Sequence, residues 1–171
     1  CNSAGFLFFP DYHLDMVRVG IALFGVSPIQ DPSPARSLGL SPVMRIRSRV
    51  KHLKNLPSGC CIGYGGTYIT QRQTRLAVIP IGYAQGLLRR LLNRMEVLIK
   101  GQRAKCLGVI SMDQMMVDVS DIPDVKRGDL VTILGPDGAD EIRAEEMAAW
   151  AETIPHEILC SFNRIKNRIV V

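Results

Sequence analysis

Aromatic side chains are scarce in this 171-residue sequence, at 6% with a single tryptophan, and no apolar run approaches the ~20 residues that a membrane-spanning helix needs. The first residues lack the charged-then-apolar pattern of a secretory leader. A membrane partner is therefore not expected, and a cytoplasmic setting is. The five cysteines (Cys1, Cys60, Cys61, Cys106, Cys160) are odd in number and show neither a CxxC spacing nor a nearby histidine cluster. They read as reduced thiols rather than a disulfide framework or a zinc site. No P-loop, GxGxxG turn, GxSxG elbow or Ser-His-Asp set occurs. Asp113, Asp118 and Asp121 lack the loop spacing and glycine of a calcium site, so no metal is expected. There is no internal repeat and no initiator methionine, and Cys1-Asn2-Ser3-Ala4-Gly5 has the small polar character of a loop leaving a strand. The sequence reads as a fragment.

What is present is a globular composition, 47% hydrophobic and 22% charged, enough for one domain or one and a half. Residues 15–25 (DMVRVGIALFG) read as a strand buried on both faces, interrupted by Arg18. The Pro-, Ser- and Gly-rich stretch between Val26 and Pro42 reads as an extended connector, which places a domain boundary at 41/42. From Val43 the texture changes to short strands. Met44, Ile46, Ser48, Val50 and His52 alternate with Arg45, Arg47, Arg49 and Lys51, the period-two pattern of a half-exposed strand. Further strands are predicted at 76–81, 96–99, 106–110, 115–119 and 130–134, separated by Lys100-Gly101, 121–123, 127–129 and 136–138 as turns. A helix is predicted over 142–152 with Asp140 as N-cap and Met147, Trp150, Ala151 and Ile154 on its buried side, and two last strands over 158–171. Many short strands argue for a mainly β fold, a barrel or sandwich.

Chemistry concentrates in a few glycine-flanked positions. Gly63-Tyr64-Gly65-Gly66-Thr67-Tyr68 leaves the phenol of Tyr64 free to project from a tight backbone; a plain β-turn with Gly65-Gly66 at positive φ explains the same string. A phenol titrates near pH ~10 on its own, so acid/base work near neutrality needs a cationic or hydrogen-bonding neighbour. Asn2-Ser3 and Val17-Arg18-Val19-Gly20-Ile21 offer hydroxyl, amide and backbone N–H groups suited to a phosphate, or equally a polar loop and a salt-bridged arginine. Met112-Asp113 looks like a pocket rim, and Tyr83 sits at a strand end between glycines.

Taken in order, CNSAG, MVRVGIALFG, IGYGGTYIT, IPIGYAQGLLRR, GVISMDQMMVDVSD and TIPHEILCSFNRIKNRIVV resemble the C-terminal part of the alanine racemases, across essentially the whole chain. The resemblance implies a mainly β architecture: the last strands of a (β/α)8 barrel in residues 1–41, then the family's β-barrel-like C-terminal domain in 42–171. It implies pyridoxal 5'-phosphate as cofactor, alanine as substrate, and a head-to-tail homodimer with sites shared across the interface. By the same resemblance Asn2, Ser3, Gly20 and Ile21 fall on the phosphate loop, and Arg18 faces the pyridine nitrogen. A guanidinium has no acceptor and does not surrender its proton, so that nitrogen stays unprotonated and the ring is a weaker electron sink. Tyr64 matches one of the two acid/base groups that racemisation at Cα requires, Met112 and Asp113 the holders of the substrate carboxylate, and Tyr83 a residue of the entrance corridor.

The family's other base, the lysine that carries the cofactor, lies near the start of the barrel and has no counterpart among the lysines present, so the chain alone is expected to be inactive. There are two departures from the family. His156 stands before Glu157 where a phosphate-touching tyrosine is usual, and Gln85 stands where an aspartate is usual. An imidazole still donates a hydrogen bond, with a charge that varies near physiological pH. The competing reading is a small basic β-barrel module binding RNA or another anion through Arg45, Arg47 and Arg49, given the net charge of +5. A solvated strand face explains those arginines as well, and the few aromatics count against stacked bases, so no nucleic-acid partner is expected.

Overall fold

A computed structural model of the chain describes residues 1–29, 37–165 and 167–170. The middle of the expected connector, 30–36, and positions 166 and 171 of the expected last strands lie outside the described residues. The fold is mainly β, with every strand pair antiparallel among the described residues. β1 (Ile46–Arg49), β9 (Leu130–Asp137), β6 (Glu96–Ile99) and β7 (Gln102–Lys105) form one sheet in that order, with β10 (Asp140–Ile142) added to β9. β2 (His52–Leu56), β5 (Thr74–Ile79) and β8 (Met115–Asp118) form a second, and β3 (Cys61–Ile62) and β4 (Tyr68–Ile69) a small hairpin.

The two larger sheets are joined at both flanks. The extended run 46–56 pairs with β9 up to Val50, whose N–H donates to the Asp129 carbonyl, and then with β5, beginning where the Lys51 N–H reaches the Val78 carbonyl. At the other flank Cys106, just after β7, bridges Val117 of β8. The sheets therefore wrap around one core. Val97, Leu98 and Ile99 of β6, Ile133 of β9, Ala77 and Ile79 of β5 and Met115 and Val117 of β8 are all excluded from solvent there. Apolar side chains at short-strand spacing have nowhere else to go, and their burial supplies most of the driving force. The Lys100-Gly101 hairpin has positive φ at both positions, as a two-residue turn matching strand twist requires.

Several expected elements differ. Residues 15–25 form no strand: a 3-10 turn occupies Ile21–Phe24, and Met16 and Leu23 are exposed. A parallel strand takes its hydrogen bonds from neighbours, and no described strand lies alongside these residues. The remaining elements before Gly25 are α1 (Ser3–Phe8), capped by Asn2, and a 3-10 turn at Pro10–Tyr12. The predicted strand at 106–110 is only the Cys106 bridge, because β7 ends at Lys105. The alternation through 43–52 is split between two sheets, so His52 is exposed rather than facing the core with Ile46 and Val50. Pro136 and Asp137 belong to β9 and only Gly138-Ala139 make the turn.

The predicted helix is α2 (Ala144–Trp150), with Arg143 at the N-cap; Asp140 lies in β10 instead. Met147 and Ala151 are buried as expected, whereas Ile154 lies beyond the helix and is exposed. The expected last strands are replaced by α3 (Pro155–Ser161) and a 3-10 turn at Phe162–Arg164. Pro155 opens that helix, and Ile158 and Phe162, four apart, bury on one face.

Candidate active site

Tyr64 begins a 3-10 turn, Tyr64–Gly66, at the tip of the β3–β4 hairpin. Gly63, Gly65 and Gly66 all hold positive φ, which folds the tip tightly enough to push the phenol outward. Tyr64 is 77% exposed. The hairpin sits directly on the segment leading to Met112. A Cβ on Gly108 would lie 2.7 Å from the Ile62 carbonyl oxygen, and one on Gly63 would lie 3.1 Å from the Val109 nitrogen. Ile62 and Leu107 bury a small apolar cluster beneath it.

The same segment supports Tyr83. The Tyr83 N–H donates to the Ser111 carbonyl at 3.1 Å and the Ala84 N–H to the Met112 carbonyl at 2.8 Å. Ser111 closes its own loop, donating N–H and Oγ–H to the Gln114 carbonyl at 3.0 and 2.8 Å. Tyr64, Tyr83, Met112 and Asp113 are thus carried by backbone elements packed around residues 107–114, and all four are exposed.

A second group forms at the N-terminal end. Asn2 accepts from the Gly5 N–H through Oδ1 at 3.0 Å, leaving its amide N–H groups as donors. Ser3 is buried, and its Oγ accepts from the Gly20 N–H at 2.9 Å and the Ala22 N–H at 3.3 Å. Both lone pairs are then occupied, which leaves the hydroxyl proton to donate. Ile21 is buried beside them at the start of its 3-10 turn. Arg18 is exposed, its N–H tied to the Cys1 carbonyl at 2.7 Å. Asn2, Ser3, Gly20 and Ile21 are therefore brought together, and they present O–H and N–H donors, the chemistry a phosphate monoester takes. His156 is not joined to them: it is exposed in the first turn of α3, with no hydrogen bond to either group among the described residues.

Two features escaped the sequence reading. Glu145 is fully buried in α2, accepts from the Ser27 N–H at 3.0 Å and faces Arg143 at 3.6 Å, pinning the N-terminal segment to the β domain. The Gln85 side chain accepts from the Gly82 N–H at 2.9 Å. The Gly82-to-Gln85 spacing of a capped turn was the available sign of the second; nothing local marks the first.

Residues 43–170 match the family described as "Alanine racemase, C-terminal domain", and residues 1–28 match "Alanine racemase, N-terminal domain". An alanine racemase of Nostoc sp. is 42% identical over 170 residues, 99% of this chain and 44% of the relative. One of Symbiobacterium thermophilum is 46% identical over 163 residues, 95% of this chain and 43% of the relative. Among solved structures, alanine racemase from Bacillus anthracis with bound L-Ala-P superposes with a TM-score of 0.87 at 36% identity, covering 95% of this chain and 42% of that one. Alanine racemase from Bartonella henselae with covalently bound pyridoxal phosphate gives 0.85 at 36% identity, covering 97% and 45%. The chain spans less than half the length of these relatives. No helix among the described residues is long and apolar enough to cross a membrane. With three quarters of its sequence matched by the C-terminal profile and relatives above 40% identity along nearly all of it, the chain belongs to the alanine racemase family.

Proposed function

We propose that this chain is the C-terminal portion of a pyridoxal-phosphate-dependent alanine racemase, made of the final barrel segment and connector (1–41) and the C-terminal β domain (42–171). It serves a cytoplasmic enzyme that interconverts L- and D-alanine and supplies D-alanine for peptidoglycan. The observation that carries this reading is the exposed Tyr64 phenol, held outward by three positive-φ glycines on a hairpin packed against the Met112-Asp113 segment.

Racemisation at Cα requires a proton removed from one face and delivered to the other. Bound cofactor would supply an electron sink that acidifies the Cα–H bond. The residues present fit its phosphate: the Ser3 Oγ–H, left to donate once the Gly20 and Ala22 N–H groups fill its lone pairs, the Asn2 amide and the Ile21 N–H would hold it, with Arg18 directed to the ring nitrogen and His156 standing apart on α3. Tyr64 would exchange the proton on one face through its phenolic oxygen, in the site of the partner subunit of a homodimer. Met112 and Asp113 would position the substrate carboxylate there. Tyr83 would line the approach and restrict it to small amino acids. The second base is a lysine outside this chain, so the 171 residues alone are inactive.

The test joins this chain to the N-terminal domain of the Nostoc sp. relative and follows alanine racemisation by coupled oxidation of the D-isomer. Turnover is expected in the joined polypeptide and not in the isolated chain. Tyr64→Phe should lower kcat about 10²–10⁴-fold in at least one direction. Turnover by the isolated chain, or full activity of Tyr64→Phe, refutes the reading.

A further inference from the structure

We infer that Gln85 is a positioning residue of the proposed racemase site: by holding the Gly82 N–H it fixes the turn that carries Tyr83 and braces the Met112-Asp113 segment. The inference rests on the racemase reading for the role of those residues, and on the geometry for the rest.

The turn is wedged between two parts of the fold. On one side a Cβ at Gly82 would lie 2.2 Å from the Ser111 carbonyl oxygen and 2.6 Å from the Met112 carbonyl carbon. On the other, a Cβ at Gly86, whose φ is 116°, would lie 2.3 Å from the Ser161 carbonyl oxygen at the end of α3. Only glycine fits at either end, so the backbone itself makes the contact. Between them the turn closes through the Gln85 N–H and the Leu87 N–H, both donating to the Gly82 carbonyl at 3.1 and 3.2 Å.

Gly82 is buried, and its own N–H has the Gln85 Oε1 at 2.9 Å as its partner. A buried N–H without an acceptor seeks one by moving the chain or admitting water. Either response shifts the next two residues, whose N–H groups make the bonds to Ser111 and Met112. The Gln85 amide is therefore the side chain that keeps Tyr83 and the Met112 carbonyl in register. It does so without a charge beside the approach that Tyr83 lines.

Gln85→Met keeps the length and removes the acceptor, and Gln85→Glu keeps an acceptor at the same reach. In the purified chain, amide hydrogen exchange at Tyr83 and Ala84 should accelerate about tenfold or more in Gln85→Met, with β6 and β9 unchanged, and stay within about twofold of the parent in Gln85→Glu. In the polypeptide joined to the Nostoc sp. N-terminal domain, Gln85→Met should raise the KM for alanine about three- to tenfold with kcat within about twofold, and Gln85→Glu should restore it. Unchanged exchange in Gln85→Met overturns the inference. Faster exchange with an unchanged KM overturns the role in the site. Absence of turnover in the unsubstituted joined polypeptide overturns that role together with the racemase reading, and the exchange result separates this failure from a failure of the turn itself.

Discussion

Replacing Glu145 with alanine should destabilise the chain by about 3–5 kcal/mol, the range for breaking one side of a buried ion pair. The Glu145 side chain is fully buried and that of Arg143 is 8% exposed, so neither charge has water to fall back on. Their closest N···O distance is 3.6 Å, and neither Arg143 Nε nor Glu145 Oε2 has a hydrogen-bond partner among the described residues. The attraction between them is ionic, roughly 5 kcal/mol gross at an effective dielectric of 20. The second carboxylate oxygen accepts from the buried Ser27 N–H at 3.0 Å, a charge-assisted bond contributing about 1.5–3 kcal/mol. Relief of the Glu145 desolvation penalty offsets part of these gains while Arg143 stays buried, which keeps the net loss within about 3–5 kcal/mol.

Removal of the carboxylate leaves the Arg143 guanidinium with Glu141 at 3.2 Å and a long contact to the Gly25 carbonyl at 3.5 Å. Urea unfolding followed by circular dichroism measures the loss, and a melting temperature lowered by roughly 6–20 °C should accompany it. The substitution Glu145→Gln keeps an acceptor for Ser27 and should lose about half as much. The double replacement Arg143→Met, Glu145→Leu should return to within about 2 kcal/mol of the parent, because a desolvated pair exchanged for apolar volume is near neutral. A loss below about 1 kcal/mol in Glu145→Ala, with additive effects at the two positions, would refute the reasoning.

Cys106 is 1% exposed and burial pushes its thiol up to about 12 from an ordinary value of 9.0. Its neutral form is favoured in the folded state, so its contribution is complete below about pH 9 and is lost as pH rises toward 12. Thiol titration at pH 8 should therefore modify exposed Cys61 and Cys160 and spare Cys106 until denaturant is added, and a fast fifth thiol would contradict this. Gly25 holds φ 69°, and a Cβ there would lie 1.8 Å from the Ser41 carbonyl oxygen, so Gly25→Ala should cost about 2–5 kcal/mol by urea unfolding. The Lys126 N–H, bonded to Asp129 at 2.8 Å, holds that carboxylate below its usual range, with Lys100 at 3.4 Å adding to it. Its contribution is present above about pH 4 and fades as pH falls through the lowered value, so Asp129→Asn should flatten the acid limb of a pH–stability profile. Salt should shrink that difference, since the pair is partly solvated.

Sequence alone determined the elements whose signal is local. Glu96–Ile99 and Met115–Asp118 were legible because a short apolar run between turn residues has one stable solution, and Lys100-Gly101 announced the turn between β6 and β7. The outward Tyr64 was legible too, since the glycines around it fold a tight backbone from which the phenol is free to project. The helix over 155–161 was readable from Pro155 and the Ile158-to-Phe162 spacing, yet its β-branched flank resembled a strand.

Only tertiary structure decided which of these segments meet. The 15–25 run was apolar enough for a strand, but strand pairing is a property of neighbours and not of the run. The same holds for Glu145 with Ser27, 118 residues apart, and for Gly82 against Ser111, where a missing Cβ has meaning only once the opposing carbonyl is in place. Local propensity acts over a few residues, whereas burial, ion pairing and close backbone approach depend on distances that no spacing in the sequence encodes.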